Sequence, residues 1–385
     1  MCSIRGYSNR VRSIFLYYRR CTAPTSCRNG AVFIQPPQGG KVVRLEGTGR
    51  RIWELTEYHA TTEEIAHNLA CEFSGDIDKI VEDMERFLLS LKNLGLVESL
   101  SEAPSPEDRL RCRYLWLLKR GLVNLLYPEH ELRMRYLENR DSAVDELEEK
   151  RYLRDIHYRE PDLYETLINA KQSLGMQSIK TYAFSHTMIG LSALDNLERC
   201  AEMVFHENIP GDFMEAGVCQ GGASIFLRAL QVAHGEGNRR LWAADSFIGL
   251  PPPESGPDIA SGLDLSETRL PSIAFSLEGV RDHFLRYSLL DENVLFLPGW
   301  FADTLPTAPI KQLAILRIDA DIYASTRDAL ECLYPRVAAG GFIIVDDYGL
   351  LGVCRQAVDE YRSAHGIDEP IQFVNQSVIY WCKGI

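Results

Sequence analysis

The sequence predicts an α/β domain built on a parallel sheet buried on both faces, preceded by a small α+β domain of winged-helix type. Three observations carry this expectation. From about residue 211 onward, apolar runs of four to six residues alternate with helical patterns, which is how strands covered on both faces read. Between residues 25 and 100, short strand-like pieces are followed by three helical patterns. A stretch rich in proline, serine and charge, SLSEAPSPEDR at 99–109, separates the two parts and reads as a linker over 101–110.

The chain has 385 residues, enough for two domains with cores of their own. A net charge of −13 argues against nucleic acid as the main partner, because phosphate binding needs a basic surface. No stretch reaches the roughly 18–20 apolar residues of a membrane span, so no membrane partner is expected. The ten cysteines include no C-x-x-C pair. They read as reduced thiols of a cytoplasmic protein rather than a disulfide framework or a zinc site. The charge is unevenly spread: residues 1–45 hold eight Lys or Arg and no acid. Within them RSIFLYYRR has too short an apolar centre for a secretory signal. Residues 1–24 are therefore expected to be a basic arm, loosely docked or disordered, with an acidic partner as the alternative.

In the small domain, AVFIQP and KVVRLEG read as strands on either side of the turn PPQGG. TGRRIWELTEY, TTEEIAHNLACEF and DIDKIVEDMERFLLSLKNLG read as helices. The second opens on a Thr cap followed by acids. In the third, Ile77, Ile80, Val81, Met84, Phe87, Leu88 and Leu91 share a face, and Gly95 is a natural stop. A winged helix could read DNA, but DIDKIVEDMER is too acidic for a major groove, so a protein or peptide partner is expected. Residues 25–100, with GTGRRIWELTE, TTEEIAHNLACEF and VEDMERFLLSLKNLGLVE, resemble the PqqD family. The resemblance implies recognition of the leader of a ribosomally synthesised, post-translationally modified precursor peptide, added as a strand against the third helix. The edge near 41–45 and the helix over 80–91 would form that groove. The alternative is that the apolar stripe is simply core.

The large domain begins with a helical section over 111–200. GDFMEAGV, RRLWAADS, NVLFLPGW, QLAILRID and GGFIIVDD then read as strands with helices among them, and PIQFVN and SVIYWCKG close the chain. Ligands of such sheets sit at the carboxyl ends of the strands. After the first strand comes E-x-G-x-x-x-G-G, in which Gly217, Gly221 and Gly222 permit a tight turn and close approach to a ligand. The spacing matches neither the dinucleotide fingerprint nor a P-loop. Asp245 ends the second strand, where an acid accepts ribose hydroxyls. Together these favour S-adenosylmethionine, with a ligand-free turn as the alternative.

Asp319 follows the fourth strand, and Asp346 and Asp347 follow the fifth. Both strands are expected to neighbour the first, which would bring the acids together beside the cofactor site. Clustered carboxylates repel, and their burial is costly unless a cation sits among them. Mg²⁺ suits an all-oxygen site; it can take two adjacent substrate oxygens and lower the pKa of a hydroxyl near a methyl donor. The competing reading makes Asp319, Asp321 or Asp346 helix N-caps. Residues 251–293 read as a lid over the acceptor. His186 and His283 are candidate proton carriers, with a structural role as the alternative.

YLWLLKRGLVNLLYPE, IPGDFMEAGVCQGGASIFLRAL, WAADSFIGLPPPE and LRIDADIYASTRDALECLYPRVAAGGFIIVDDYG resemble the macrocin O-methyltransferase (TylF-like) family over 111–385. The resemblance implies a Rossmann-like methyltransferase fold with a mostly parallel seven-stranded sheet, dependent on S-adenosylmethionine and Mg²⁺. It further implies that Glu215, Gly217, Gly221, Gly222, Ser224, Asp245 and Ser246 meet the cofactor, with Thr187 and Met188 covering it. Asp319, Asp346 and Asp347 would hold the metal. Asp319 would also take the hydroxyl proton, and Asp321 could share either role. Ala320 stands where many relatives have Gly, and Cys219–Gln220 where Trp-Arg is expected. The fusion suggests an O-methyltransferase, expected to be homo-oligomeric, that tailors a precursor peptide recruited through its leader. The alternatives are a methyltransferase of a free sugar or phenolic product, whose small domain oligomerises or binds a carrier, and a non-catalytic peptide-binding scaffold.

Overall fold

The computed structural model describes residues 17–20, 25–28, 31–34, 36, 41–56, 60–73, 77–100, 105–139, 146–173, 185–270 and 273–384. The small domain holds strands β1 (Tyr17–Arg20), β2 (Thr25–Arg28), β3 (Ala31–Ile34), β4 (Val43–Leu45), β5 (Ala60–Thr61) and β6 (Val97–Leu100), with helices α1 (Gly47–Leu55), α2 (Thr62–Phe73) and α3 (Ile77–Asn93). Two antiparallel sheets, ordered β2-β3-β4 and β5-β1-β6, flank a core that includes Ile34, Trp53, Ile65 and Leu69. From α3, Met84, Leu88 and Leu91 are buried, while Ile80, Val81 and Phe87 pack against the core half-covered. The side chain of Ile77 lies outside the described residues. The short strands β1, β2, β5 and β6 escaped the sequence pattern because, unlike AVFI of β3, their YYRR, TSCR, AT and VESL show neither an apolar run nor an alternation. One of them corrects the basic arm. Tyr17–Arg20 pairs along its length with β6, from Tyr17 opposite Leu100 to Arg20 opposite Val97. A surplus of arginine says nothing about backbone pairing; residues 1–16 and 21–24 of the arm lie outside the described residues.

The linker is also shorter than expected. Helix α4 (Pro106–Leu122) starts inside it, because Ser105 and Asp108 form a capping box and Pro106 occupies the first turn. The same S-P-E-D that reads as loop composition is a helix start. From α4, Arg109 and Arg113 both pair with Glu64 of α2. Helices α5 (Glu129–Asn139), α6 (Glu146–Arg154), α7 (Ile156–Arg159), α8 (Pro161–Ser173) and α9 (Leu191–His206) complete the helical section.

Then follow β7 (Asp212–Ala216), α10 (Gly222–Ala233), β8 (Leu241–Asp245), α11 (Gly256–Ser261), α12 (Leu277–Arg286), β9 (Val294–Pro298) and α13 (Phe301–Thr304). The chain closes with β10 (Leu313–Ile318), α14 (Tyr323–Leu333), β11 (Val337–Val345), α15 (Gly352–Ala364), β12 (Gln372–Phe373) and β13 (Ile379–Cys382). The sheet is ordered β12-β13-β11-β10-β7-β8-β9, and all its strands run in one direction except β13, which pairs antiparallel with both β11 and β12. This is the Rossmann-like α/β arrangement expected. Alternation along the strands feeds two cores: Phe213 and Ile315 face one layer of helices, Met214 and Leu316 the other. Of β10 and β11, only β10 pairs with β7, and β11 lies one strand further out, a correction to the expectation that both neighbour the first strand. Among the described residues no helix is long and apolar enough to cross a membrane.

The lid, too, is smaller than 251–293. Val280 and Phe284 of α12 are fully buried in the main core, so residues 277–293 are scaffold. Their i, i+4 spacing is the helical core signal that a reading by loop length overlooks. What remains over the cavity is the segment before α12, from which Leu265, Leu270 and Ile273 form part of its wall.

Candidate active site

A cavity opens at the carboxyl ends of β7, β8, β10 and β11. Thr187, Met188, Glu215, Gly217, Gly222, Asp245 and Ser246 all line it. Gly221 and Ser224 do not. Gly221 lies beneath Val280, and Ser224 is buried with its hydroxyl donated to Glu215. The glycines allow the tight turn expected, with Gly217 at φ +95 and Gly221 at φ +89, and two of them also serve a further purpose. A Cβ on Gly217, at φ +95, would lie 1.7 Å from the backbone oxygen of Asp319; one on Gly222 would lie 2.1 Å from that of His186. They admit other stretches of this chain, drawing the end of β10 and the 185–190 segment onto the loop.

Asp245 shapes the same loop. Its Oδ2 accepts from the backbone N–H of Val218 at 2.7 Å and of Cys219 at 3.1 Å, and its Oδ1 from that of Phe247 at 2.8 Å. Burial raises its pKa against these bonds. Glu215 lines the cavity with both oxygens engaged. Oε1 accepts from Arg317 Nη1 at 2.5 Å and Oε2 from Ser224. Burial pushes its carboxyl up to about 7 even so.

The acids converge as the sequence implied. One carboxylate oxygen from each of Asp319, Asp346 and Asp347 lies within 4.8 Å of the others. Below them stands Arg317, a residue the sequence reading missed. It is the single charge in the otherwise apolar strand LAILRI, and its side chain is only 1% exposed. Its Nη1 also donates to Asp319 Oδ2 at 2.9 Å, and its Nη2 to Asp346 Oδ1 at 2.7 Å. A charged residue inside a buried strand must find partners, and that was the available signal.

One guanidinium cannot balance this many carboxylates. Burial and then the neighbouring acids push Asp346 up to about 7 and Asp321 up to about 8, and move Asp347 up as well. Asp347 Oδ2 is buried without a hydrogen-bond partner. An all-oxygen donor set with surplus negative charge and an orphaned acceptor fits a hard divalent cation. The capping alternative fails, because α14 and α15 have Ile322 and Leu351 at their N-caps and no side-chain cap of their own. Asp321 lines the cavity but stands outside the three-acid group, at φ 56 in a tight turn.

His186 and His283 are not at the cavity. Their rings stack with centroids 4.3 Å apart; His186 Nδ1 pairs with the Tyr287 hydroxyl and His283 Nδ1 donates to the Gln220 carbonyl, each at 2.8 Å. They brace the glycine loop from behind, which corrects the proton-carrier reading. Burial lowers both His186 and His234 to about 4. The unfolded chain takes up these protons near pH ~6.5, so it binds more protons than the fold between those values. The histidines' own share of stability is therefore expected to fall as pH drops from about 6.5 towards 4, against the opposite contribution of the buried acids raised above. Urea midpoints of wild type and His234→Gln across that range isolate this share: the variant should gain on wild type as pH falls, and a constant difference would contradict it.

The macrocin-O-methyltransferase (TylF) family matches residues 111–383, and the coenzyme PQQ synthesis protein D (PqqD) family matches residues 31–97. The chain is 42% identical over 272 residues to 8-demethyl-8-(2,3-dimethoxy-alpha-L-rhamnosyl)-tetracenomycin-C 4'-O-methyltransferase of Streptomyces olivaceus, covering 70% of this chain and 91% of the relative. It is 48% identical over 201 residues to demethyldecarbamoylnovobiocin O-methyltransferase of Streptomyces niveus, covering 52% and 76%. The solved structure of the O-methyltransferase NovP superposes with a TM-score of 0.57 at 38% identity, covering 71% of this chain and 100% of that one.

Proposed function

Because the chain belongs to the macrocin O-methyltransferase (TylF) family and is an S-adenosylmethionine-dependent O-methyltransferase, we propose that it methylates an oxygen of a natural product with the help of Mg²⁺. We further propose that this product is a ribosomally made precursor peptide held through its leader. The observation that carries the metal is the Asp319–Asp346–Asp347 group over Arg317. The PqqD match and the open edge of β4, which pairs only with β3 among the described residues, support the peptide. A second reading, a glycosylated or phenolic small molecule as acceptor, is favoured by the acceptors in the relatives' names.

When bound, Mg²⁺ acidifies a substrate hydroxyl and S-adenosylmethionine supplies an electrophilic methyl group. The protein does the rest. Asp319, Asp346 and Asp347 would hold the metal while Arg317 fixes the orientation of two of them. Thr187, Met188 and the 217–222 loop would hold the donor, as Asp245 fixes that loop by its backbone bonds. Leu265, Leu270 and Ile273 would exclude water from the acceptor side. The hydroxyl proton is assigned to Asp321, whose carboxyl, pushed up to about 8 by burial and the neighbouring acids, would ionise once a bound cation offsets their charge and could then accept it. Asp319, first expected in that role, is already tied to Arg317 and grouped with the metal acids.

Removing residues 1–100 is expected to raise KM for a leader-bearing precursor about a hundredfold, through lost effective concentration. The same truncation should leave KM for the leaderless core unchanged. Steady-state kinetics on both substrates check this. Equal losses would return the small domain to a structural role, and no affinity for any leader would favour the small-molecule acceptor.

A further inference from the structure

Asp258 is 2% exposed and belongs to the short helix α11, in the covering segment between β8 and α12. Its carboxylate does not face the cavity. Instead Oδ1 accepts the backbone N–H of Tyr323 at 2.8 Å and Oδ2 that of Ala324 at 3.1 Å, the first two residues of α14. Ser255 Oγ donates to Oδ2 at 2.6 Å and holds the carboxylate in place. A helix normally takes its cap from the residue just before it. Here that position is Ile322, which offers none. The cap comes instead from a segment 65 positions earlier in the chain, with negative charge placed at the positive end of α14.

What lies next to this cap gives it meaning. Asp321 immediately precedes Ile322 and sits at φ 56, while the Ile322 N–H donates to the Ala320 carbonyl at 2.6 Å. An i to i+2 bond around a residue of positive φ is a strained turn that must be held from both sides. Upstream, the Asp319 N–H is bonded to the Ala216 carbonyl of β7 at 2.8 Å. Downstream, the first turn of α14 is held by Asp258. The same covering segment supplies Leu265, Leu270 and Ile273 to the wall of the cavity.

We propose that Asp258 is a positioning residue that couples closure of the covering segment to the placement of Asp321. It rests on the reading of Asp321 as the proton acceptor. With the segment seated, Asp258 satisfies two N–H groups of α14 and the turn keeps Asp321 in the cavity. With the segment displaced, both N–H groups lose their partner and the turn loses its downstream hold. Acceptor binding, which the segment walls, thereby favours the reactive arrangement.

The test uses the full chain with Asp258→Ala, Asp258→Asn, and the double variant Asp258→Ala/Ile322→Thr, in which a local hydroxyl replaces the distant cap. Hydrogen exchange is followed over 251–276 and at Tyr323 and Ala324. Turnover is measured with demethyldecarbamoylnovobiocin, the substrate named for one relative, as probe acceptor. Asp258→Ala should speed exchange in both regions about tenfold, the loss expected for a helix cap, lower kcat by a similar factor and raise KM for the acceptor severalfold. S-adenosylhomocysteine affinity should stay within about twofold of wild type. Asp258→Asn, which keeps one acceptor oxygen, should fall between. The double variant should restore slow exchange at Tyr323 and Ala324 together with kcat, while 251–276 stays open and KM for the acceptor stays high. If the local cap restores 251–276 and KM as well, Asp258 is only a helix cap and the proposal is overturned. It is equally overturned if Asp258→Ala leaves exchange in 251–276 unchanged. The exchange pattern decides the matter even if the probe is not methylated, and absent S-adenosylhomocysteine binding by wild type would instead count against the methyltransferase reading.

Discussion

Replacing Arg317 with Met is expected to lower the unfolding free energy by about 3–5 kcal/mol, the cost of removing one partner from a buried ionic group. The guanidinium is inaccessible and is the common partner of Glu215, Asp319 and Asp346. Without it, three carboxylates on β7, β10 and the end of β11 face one another with Asp321 and Asp347 nearby. Arg317→Lys should recover only part of the loss, because one ammonium cannot reproduce a planar fork shared among three acids. Urea unfolding midpoints measure both variants. A change below about 1 kcal/mol for Arg317→Met, the scale of a surface ion pair, would mean that the buried cation is not what keeps these acids together.

Replacing Asp319 with Ala is expected to cut turnover about a thousandfold, the worth of several kcal/mol of lost charge stabilisation. S-adenosylhomocysteine affinity should stay close to that of wild type. The reason is spatial: Asp319 belongs to the three-acid group, whereas the glycine loop owes its shape to Asp245. Mn²⁺ titration followed by electron paramagnetic resonance should show weakened metal binding in the same variant. Asp321→Asn should lose turnover as well but keep its Mn²⁺ affinity, since Asp321 stands outside the group. If Asp319→Ala retains full activity, the metal reading is wrong. If Asp321→Asn loses Mn²⁺ binding, that carboxylate is a ligand rather than the proton acceptor.

Much of this site was legible because carboxyl ends of parallel strands converge whatever the exact strand order. Asp245, Asp319, Asp346 and Asp347 each follow an apolar run, so their convergence could be expected even though β11 turned out not to border β7. The glycine spacing was legible as a tight turn. That the missing Cβ atoms also make room for Asp319 and His186 depends on chain crossings that no local pattern encodes. Arg317 was visible as an anomaly, but its partner Glu215 lies 102 positions away. Asp258 gave no signal at all. It sits in a proline-rich, loop-like stretch, and the helix it caps lies beyond two further strands. The pairing of Tyr17–Arg20 was hidden for a similar reason, since its partner strand lies at the far end of the small domain.

The most direct measurement is a calorimetric titration of the full chain with S-adenosylhomocysteine, with and without Mg²⁺, followed by a Mg²⁺ titration of the complex. The cavity described here predicts one cofactor site per chain that is present without metal, and one Mg²⁺ site that is lost in Asp319→Ala. Binding of S-adenosylhomocysteine with no Mg²⁺ site would contradict the metal-assisted account, and no binding of S-adenosylhomocysteine would contradict the whole of it.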